Sequence, residues 1–134
     1  MEAMRRPLAA ITFIVAACGS AGSDEAMTPD GVVRFGTTNP RTDCNHTPYA
    51  THFPAGAEIY WWAGFNEALP SGAEVVEQDY LDGDLFNTDT YTVPAGGADC
   101  LTRTHPTGGL IEGTWRVVLQ YGSKTEAEGT FAVP

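Results

Sequence analysis

An all-β fold, a single antiparallel sandwich of about seven short strands, is predicted for this 134-residue chain by three observations. Apolar and aromatic residues alternate with polar ones through Glu58–Phe65 and again through Trp115–Val133, the two-residue period of strands with one buried face. Turn-forming Gly, Pro, Asp and Asn recur about every ten residues, the spacing of a sandwich. No window carries a useful amphipathic helix, since the best one, Phe65 to Leu69, is stopped by Pro70-Ser71-Gly72.

The first element precedes the fold. Arg5 and Arg6 form a positive start, Leu8 to Val15 an apolar stretch, and Ala16 and Ala17 a small-residue end. These are the three parts of an export signal. The apolar stretch is shorter than the roughly 20 residues needed to span a bilayer. Glu2 is an unusual acid in such a leader, so initiation at Met4 stays open beside Met1. On either start, residues 1–17 take no part in the fold. From Gly19 to about Asp30 the chain is Gly, Ser, Ala, Asp, Glu and Pro with almost no large apolar group, so residues 18–30 read as a flexible tether. Twelve such residues reach roughly 20 Å.

Residues 31–134 have the size of one domain, with no repeat or linker to divide them. Val32 to Phe35 is the first strand candidate. In Glu58–Phe65, Ile59, Trp61, Ala63 and Phe65 share one face while Glu58, Tyr60 and Trp62 share the other. Ala73 to Tyr80, Leu85-Phe86 and Thr90 to Val93 are shorter candidates bounded by turn residues. Trp115, Val117, Leu119 and Tyr121 make another apolar row, Gly122-Ser123 turns the chain, and Ala127, Gly129, Phe131 and Val133 complete a hairpin.

At the leader the chain resembles bacterial lipoproteins, whose lipobox of an aliphatic, two small residues and cysteine is matched by Val15-Ala16-Ala17-Cys18. The resemblance implies diacylation of the Cys18 thiol, cleavage before it, and acylation of the new amino terminus. Because Gly19 and not Asp follows, it implies an outer-membrane destination if the host has one. An ordinary secretory leader with a stray cysteine is the alternative. The C-terminal half resembles the immunoglobulin-like domains of bacterial surface lipoproteins through Gly113-Thr114-Trp115-Arg116-Val117-Val118-Leu119 and Gly129-Thr130-Phe131-Ala132-Val133. It departs from antibody-type domains in its cysteines, which fall in turn-rich segments, so that a bond between them staples a loop near the first strands to the loop before Trp115. The implied fold is an immunoglobulin-like sandwich, and such a fold fixes no activity.

Charge narrows the partners. The whole chain has 17 acids against 7 bases. The leader removes Glu2, Arg5 and Arg6, which leaves 16 and 5 and a net charge near −11. Such a surface argues against nucleic acid, whose phosphates demand bases. It equally disfavours docking on anionic headgroups and leaves the lipid as the membrane contact.

With Cys18 set aside for lipid, Cys44 and Cys100 remain as an even pair in an exported chain, which makes a disulfide the economical inference. Free thiols acting as ligands or nucleophiles are the alternative, against which neither cysteine has a Cys-x-x-Cys partner or a histidine at ligand spacing. The three histidines, His46, His52 and His105, suggest an envelope metal site only if the bond gathers them. No His-x-His spacing supports one, and no cofactor is expected. Acids and amides over Asp79–Asp89 raise calcium, but EF-hand spacing is missing and Asp82-Gly83 reads as a turn. Glu74 and Glu77 are a possible glycosidase pair only in the sense that six acids between residues 74 and 89 make some pair inevitable. Serine-hydrolase, zinc-protease and phosphate-loop motifs are missing, so no enzyme is expected. Tyr60 and Trp62, read as outward aromatics, offer a platform for a sugar ring or a protein partner. The expectation is therefore a lipid-anchored envelope protein with a non-catalytic interaction or structural role, with glycan or protein binding through Tyr60 and Trp62, and metal binding, as alternatives.

Overall fold

The computed structural model describes residues 26–41, 44–107 and 110–134, with the backbone alone at 105–107. Seven strands run in the order β1 (Val33–Gly36), β2 (Ile59–Leu69), β3 (Glu74–Leu81), β4 (Asp84–Thr92), β5 (Ala98–Thr107), β6 (Gly113–Tyr121) and β7 (Lys124–Val133). They form a three-stranded sheet β1-β2-β5 and a four-stranded sheet β4-β3-β6-β7, with every neighbouring pair antiparallel. The chain crosses between sheets after β2, β4 and β5, the Greek-key habit of immunoglobulin-like sandwiches. In the constant-type arrangement the fourth strand would sit beside β5; here β4 lies at the edge of the larger sheet. Among the described residues there is no helix, and so none long and apolar enough to cross a membrane.

The core follows from the predicted alternation. Trp61, Ala63 and Phe65 from β2 meet Trp115, Val117, Leu119, Phe131 and Val133 from the opposite sheet, all at 4 % exposure or less. Trp115 and Phe131 stack with centroids 6.0 Å apart. One side of the sandwich is closed by backbone: the N–H of Glu128 donates to Gly31 O, and that of Ala132 to Thr51 O. Gly129 sits at this seam, where a side-chain carbon would collide with Val33 O, so the strand approaches the neighbouring backbone only as glycine.

Three expectations change. The segments Leu85-Phe86 and Thr90–Thr92 are parts of one strand, β4, with Val93 just beyond its end; the strand starts after the Asp82-Gly83 turn, where both residues take positive φ (51° and 89°). A whole strand, β5, falls where a turn-rich loop was expected, because its inward row is Leu101 and then Arg103 and shows no apolar alternation. The tether ends earlier than Asp30. Ala26 bridges Asn45, the Met27 N–H donates to Cys44 O at 2.8 Å, and the Met27 side chain is buried against Trp62. One large apolar residue in an otherwise polar segment suffices to dock it. Cys18 and residues 1–17 lie outside the described residues.

Candidate functional site

Two clusters of chemistry-bearing side chains stand out, one between the sheets and one on the outer face of the smaller sheet. The inner cluster follows from strand period. Val75, Glu77 and Asp79 occupy alternate, inward positions of β3, and β4 places Tyr91 beside Val75 and Asp89 beside Glu77. From the other sheet β5 supplies Arg103, opposite Trp61 of β2. Arg103 Nη1 donates to Glu77 Oε2 at 3.1 Å and to Oε1 at 3.3 Å, the Tyr91 hydroxyl donates to Glu77 Oε1 at 2.6 Å, and Asp89 Oδ2 lies 3.6 Å from Arg103. Glu77 is 1 % exposed and Arg103 8 %. A carboxylate buried this deeply needs its charge met by a cation and hydrogen bonds.

Asp79 has no such cation to itself. Burial, and then the adjacent Glu77, push its carboxyl up to about 8. Burial and the Glu77 charge likewise push the Tyr91 hydroxyl up. Asp79 Oδ1, Trp61 Nε1 and Arg103 Nε are buried without protein partners. Asp79 and Trp61 border a cavity of about 20 Å³ walled by Phe35, Trp115 and Phe131. That is the space of a single water molecule. Here a carboxyl that burial holds protonated lies beside a carboxylate held by Arg103 and Tyr91. The cluster's chemistry is to hold two sheets in one relation.

The outer cluster is built on Trp62. Expected as an exposed platform, Trp62 is instead 1 % exposed, because the segment leading into and out of β1 folds over it. His46 meets its ring edge-on at 4.9 Å and Tyr49 at 5.9 Å, and the Arg34 guanidinium lies 5.5 Å from its centroid. Asp30 holds that guanidinium through two hydrogen bonds of 3.1 and 2.8 Å, and in return Arg34 holds the Asp30 carboxyl below its ordinary value. Tyr60 is half-buried, so the proposed pair does not form an exposed aromatic surface.

Cys44 and Cys100 are joined in a disulfide, with Cα atoms 5.9 Å apart. Cys100 lies inside β5 and packs with Met27 against buried Trp62, correcting the expectation that both cysteines occupy turn-rich segments. The bond ties the segment before β2 to a strand of the smaller sheet.

No family model, curated protein or solved structure matches this chain.

The disulfide does not assemble a histidine site among the described residues. His46 Nε2 pairs with Thr28 Oγ1 at 3.3 Å and His52 Nδ1 with Thr51 Oγ1 at 3.1 Å; the His105 side chain is not among the described atoms. Cys44, Asp99 and Cys100 bring a carboxylate near two sulfurs, but those sulfurs are bonded to each other. The acids of Asp79–Asp89 do not converge for calcium either: Asp79 is internal, Asp82 accepts the Thr114 N–H at 2.9 Å, and Asp89 faces Arg103. Glu74 is exposed and Glu77 buried, at different positions along β3.

Sequence reasoning missed the Glu77–Arg103 pair. A usable signal was present, since Arg103 is the sole base between Arg41 and Arg116, across a stretch rich in acids.

Proposed function

We propose that this protein is a lipid-anchored module of the bacterial cell envelope whose role is non-catalytic, in surface interaction or envelope structure. The observation that carries the reading is the leader ending in Val15-Ala16-Ala17-Cys18, followed within a few residues by a disulfide-closed sandwich. Two acyl chains or more hold such a protein stably at a membrane, where one would not. A disulfide across 56 residues suits an exported domain of this size. The non-catalytic part is supported by the inner cluster, whose acids are enclosed between the sheets and engaged by Arg103 and one another. Localisation is then the outer membrane where the host has one.

The test is fractionation of cells expressing the wild-type chain and Cys18→Ala. The wild type is expected in the membrane fraction and to leave it only with detergent. Cys18→Ala is expected to lose that association; a variant that stays with the membrane as firmly as the wild type overturns the anchor.

A further inference from the structure

We propose that the outer edge of β4 is a docking edge for an extended segment of another protein, one that alternates lysine or arginine with apolar residues and adds as a strand to the larger sheet. This gives the interaction role proposed above its partner; it rests on that role and not on the lipid. The two sheets have four edges, β1, β5, β4 and β7, and among the described residues three of them are covered. β7 is met by the backbone at Gly31 and Thr51, and β1 by the Ala50 N–H, which donates to Phe35 O. β5 is met by Asn39, whose Nδ2 donates to Thr104 O at 3.0 Å, and by the disulfide at Cys100. β4 pairs with β3 alone, and no backbone hydrogen bond among the described residues reaches its other side. None of its nine residues is buried.

A bare strand edge is a row of unpaired N–H and C=O groups, and natural proteins blunt such an edge with lysine, proline, a bulge or a very short strand. β4 contains no lysine, arginine or proline. Its one register shift falls near its start, opposite Asp79 and Tyr80, and from Asn87 to Thr92 it runs unbroken against Asp79 to Glu74. That is six residues, roughly 20 Å of regular edge. Thr88, Thr90 and Thr92 are β-branched and exposed, so the strand keeps its extended form and its outward row stays free to pack beside a neighbour.

The surroundings select the partner. From Glu74 to Thr92 the β3–β4 hairpin holds six acids and no base. On the edge itself Asp89 is the charge that an added strand meets. Its side chain is 41 % exposed, and Arg103, 3.6 Å away, is already hydrogen-bonded to Glu77 at 3.1 Å. A lysine or arginine of the added strand completes the pairing of that carboxylate. At the start of β4, Leu85 and Phe86 are 56 % and 53 % exposed, and Trp115 steadies the Phe86 ring edge-on at 5.0 Å. Two large apolar side chains held side by side in water are a place for an apolar residue of the same segment. Main-chain hydrogen bonds then supply the affinity and alternate side chains the selection, as strand addition does elsewhere. A second copy of this chain fits less well, because it brings its own excess of acids to the same acidic edge.

Fluorescence anisotropy with the full chain in nonionic detergent micelles and a short labelled peptide of alternating lysine and valine tests the assignment. The peptide is expected to bind saturably. Two controls are each expected to bind at least about tenfold more weakly: the peptide with glutamate for lysine, and the peptide N-methylated at every residue, which keeps its side chains but cannot donate a strand hydrogen bond. Asp89→Asn is expected to weaken the lysine peptide severalfold with an unchanged circular dichroism spectrum. In amide hydrogen exchange the bound peptide should slow alternate N–H groups of Asn87–Thr92, those turned away from β3, and leave β7 unchanged. No saturable binding, equal binding of the N-methylated peptide, an Asp89→Asn variant that binds as the wild type does, or protection that misses β4 would each overturn it. So would a dimer of the chain alone that protects the same amides, which would make a second copy the occupant. None of these outcomes alters the membrane release expected of Cys18→Ala, so the edge and the anchor fail separately.

Discussion

Arg103 of β5 reaches across the sandwich to Glu77 of β3, Nη1 to Oε2 at 3.1 Å, a buried ion pair that joins one sheet to the other. Leaving one member of a buried pair without the other costs about 3–5 kcal/mol, whereas an apolar pair of similar volume is often neutral or better. Arg103→Met should therefore destabilise the domain by about that amount in urea unfolding, and adding Glu77→Leu should recover most of it. Additive losses in the double variant would show that the two residues do not act as a pair.

Asp79 makes stability depend on pH in a stated direction. In the fold its carboxyl keeps a proton to about pH 8, because it is buried beside Glu77; unfolded, it ionises near 3.8. Between those values the unfolded chain has lost a proton that the native state retains, so stability falls as pH rises from about 4 to about 8. The charged and titratable groups around it, Glu77, Asp89, Tyr91 and Arg103, stay in place when Asp79 is changed to Asn. That variant should lose much of the slope and unfold at higher urea than the wild type at pH 8. Parallel pH profiles for the two proteins would contradict the assignment.

The disulfide closes 56 residues, which in the chain-entropy model amounts to about 4 kcal/mol. Reduction, or Cys44→Ala with Cys100→Ala, should lower stability by that order and loosen the segment over Trp62. Tryptophan fluorescence shifting to the red is the expected sign, because Cys44, Cys100 and Met27 cover that ring. An unshifted spectrum in the reduced protein would show that the cover does not need the bond.

Gly129 offers a steric test of the seam between β7 and β1. A methyl group there meets Val33 O and its carbonyl carbon, which are backbone and cannot swing aside. Gly129→Ala should cost about 1–3 kcal/mol or more, the scale of overpacking a tight site. Gly83→Ala has open space around it and is strained only by its positive φ, so it should cost less, by thermal melt.

How far the fold was legible depended on which face of each strand carried the signal. The inward rows of β2, β6 and β7 are aromatic and aliphatic, so their period of two is plain in the sequence, and the hairpin follows from Gly122-Ser123. β5 was illegible because Arg103 occupies a core position, and a charge in an inward row looks like a loop until its partner on another sheet is known. Trp62 was misplaced for the converse reason. Alternation correctly put it on the face away from the main core, but nothing local reveals that Met27, His46 and Tyr49 return to cover it. The fastening of the loop after β1 to β5 was beyond reach of pattern altogether, since the contacts of Asn39 with Thr104 and of Arg41 with Thr102 join positions far apart in the chain.

Intact-protein mass spectrometry of the mature chain, with sequencing of its amino-terminal peptide, tests the lipid anchor most directly. The expected peptide begins at Cys18, with diacylglycerol on the sulfur and a fatty acyl group on the amine. A terminus at any other residue, or a Cys18 thiol that reacts freely with a maleimide, would contradict it.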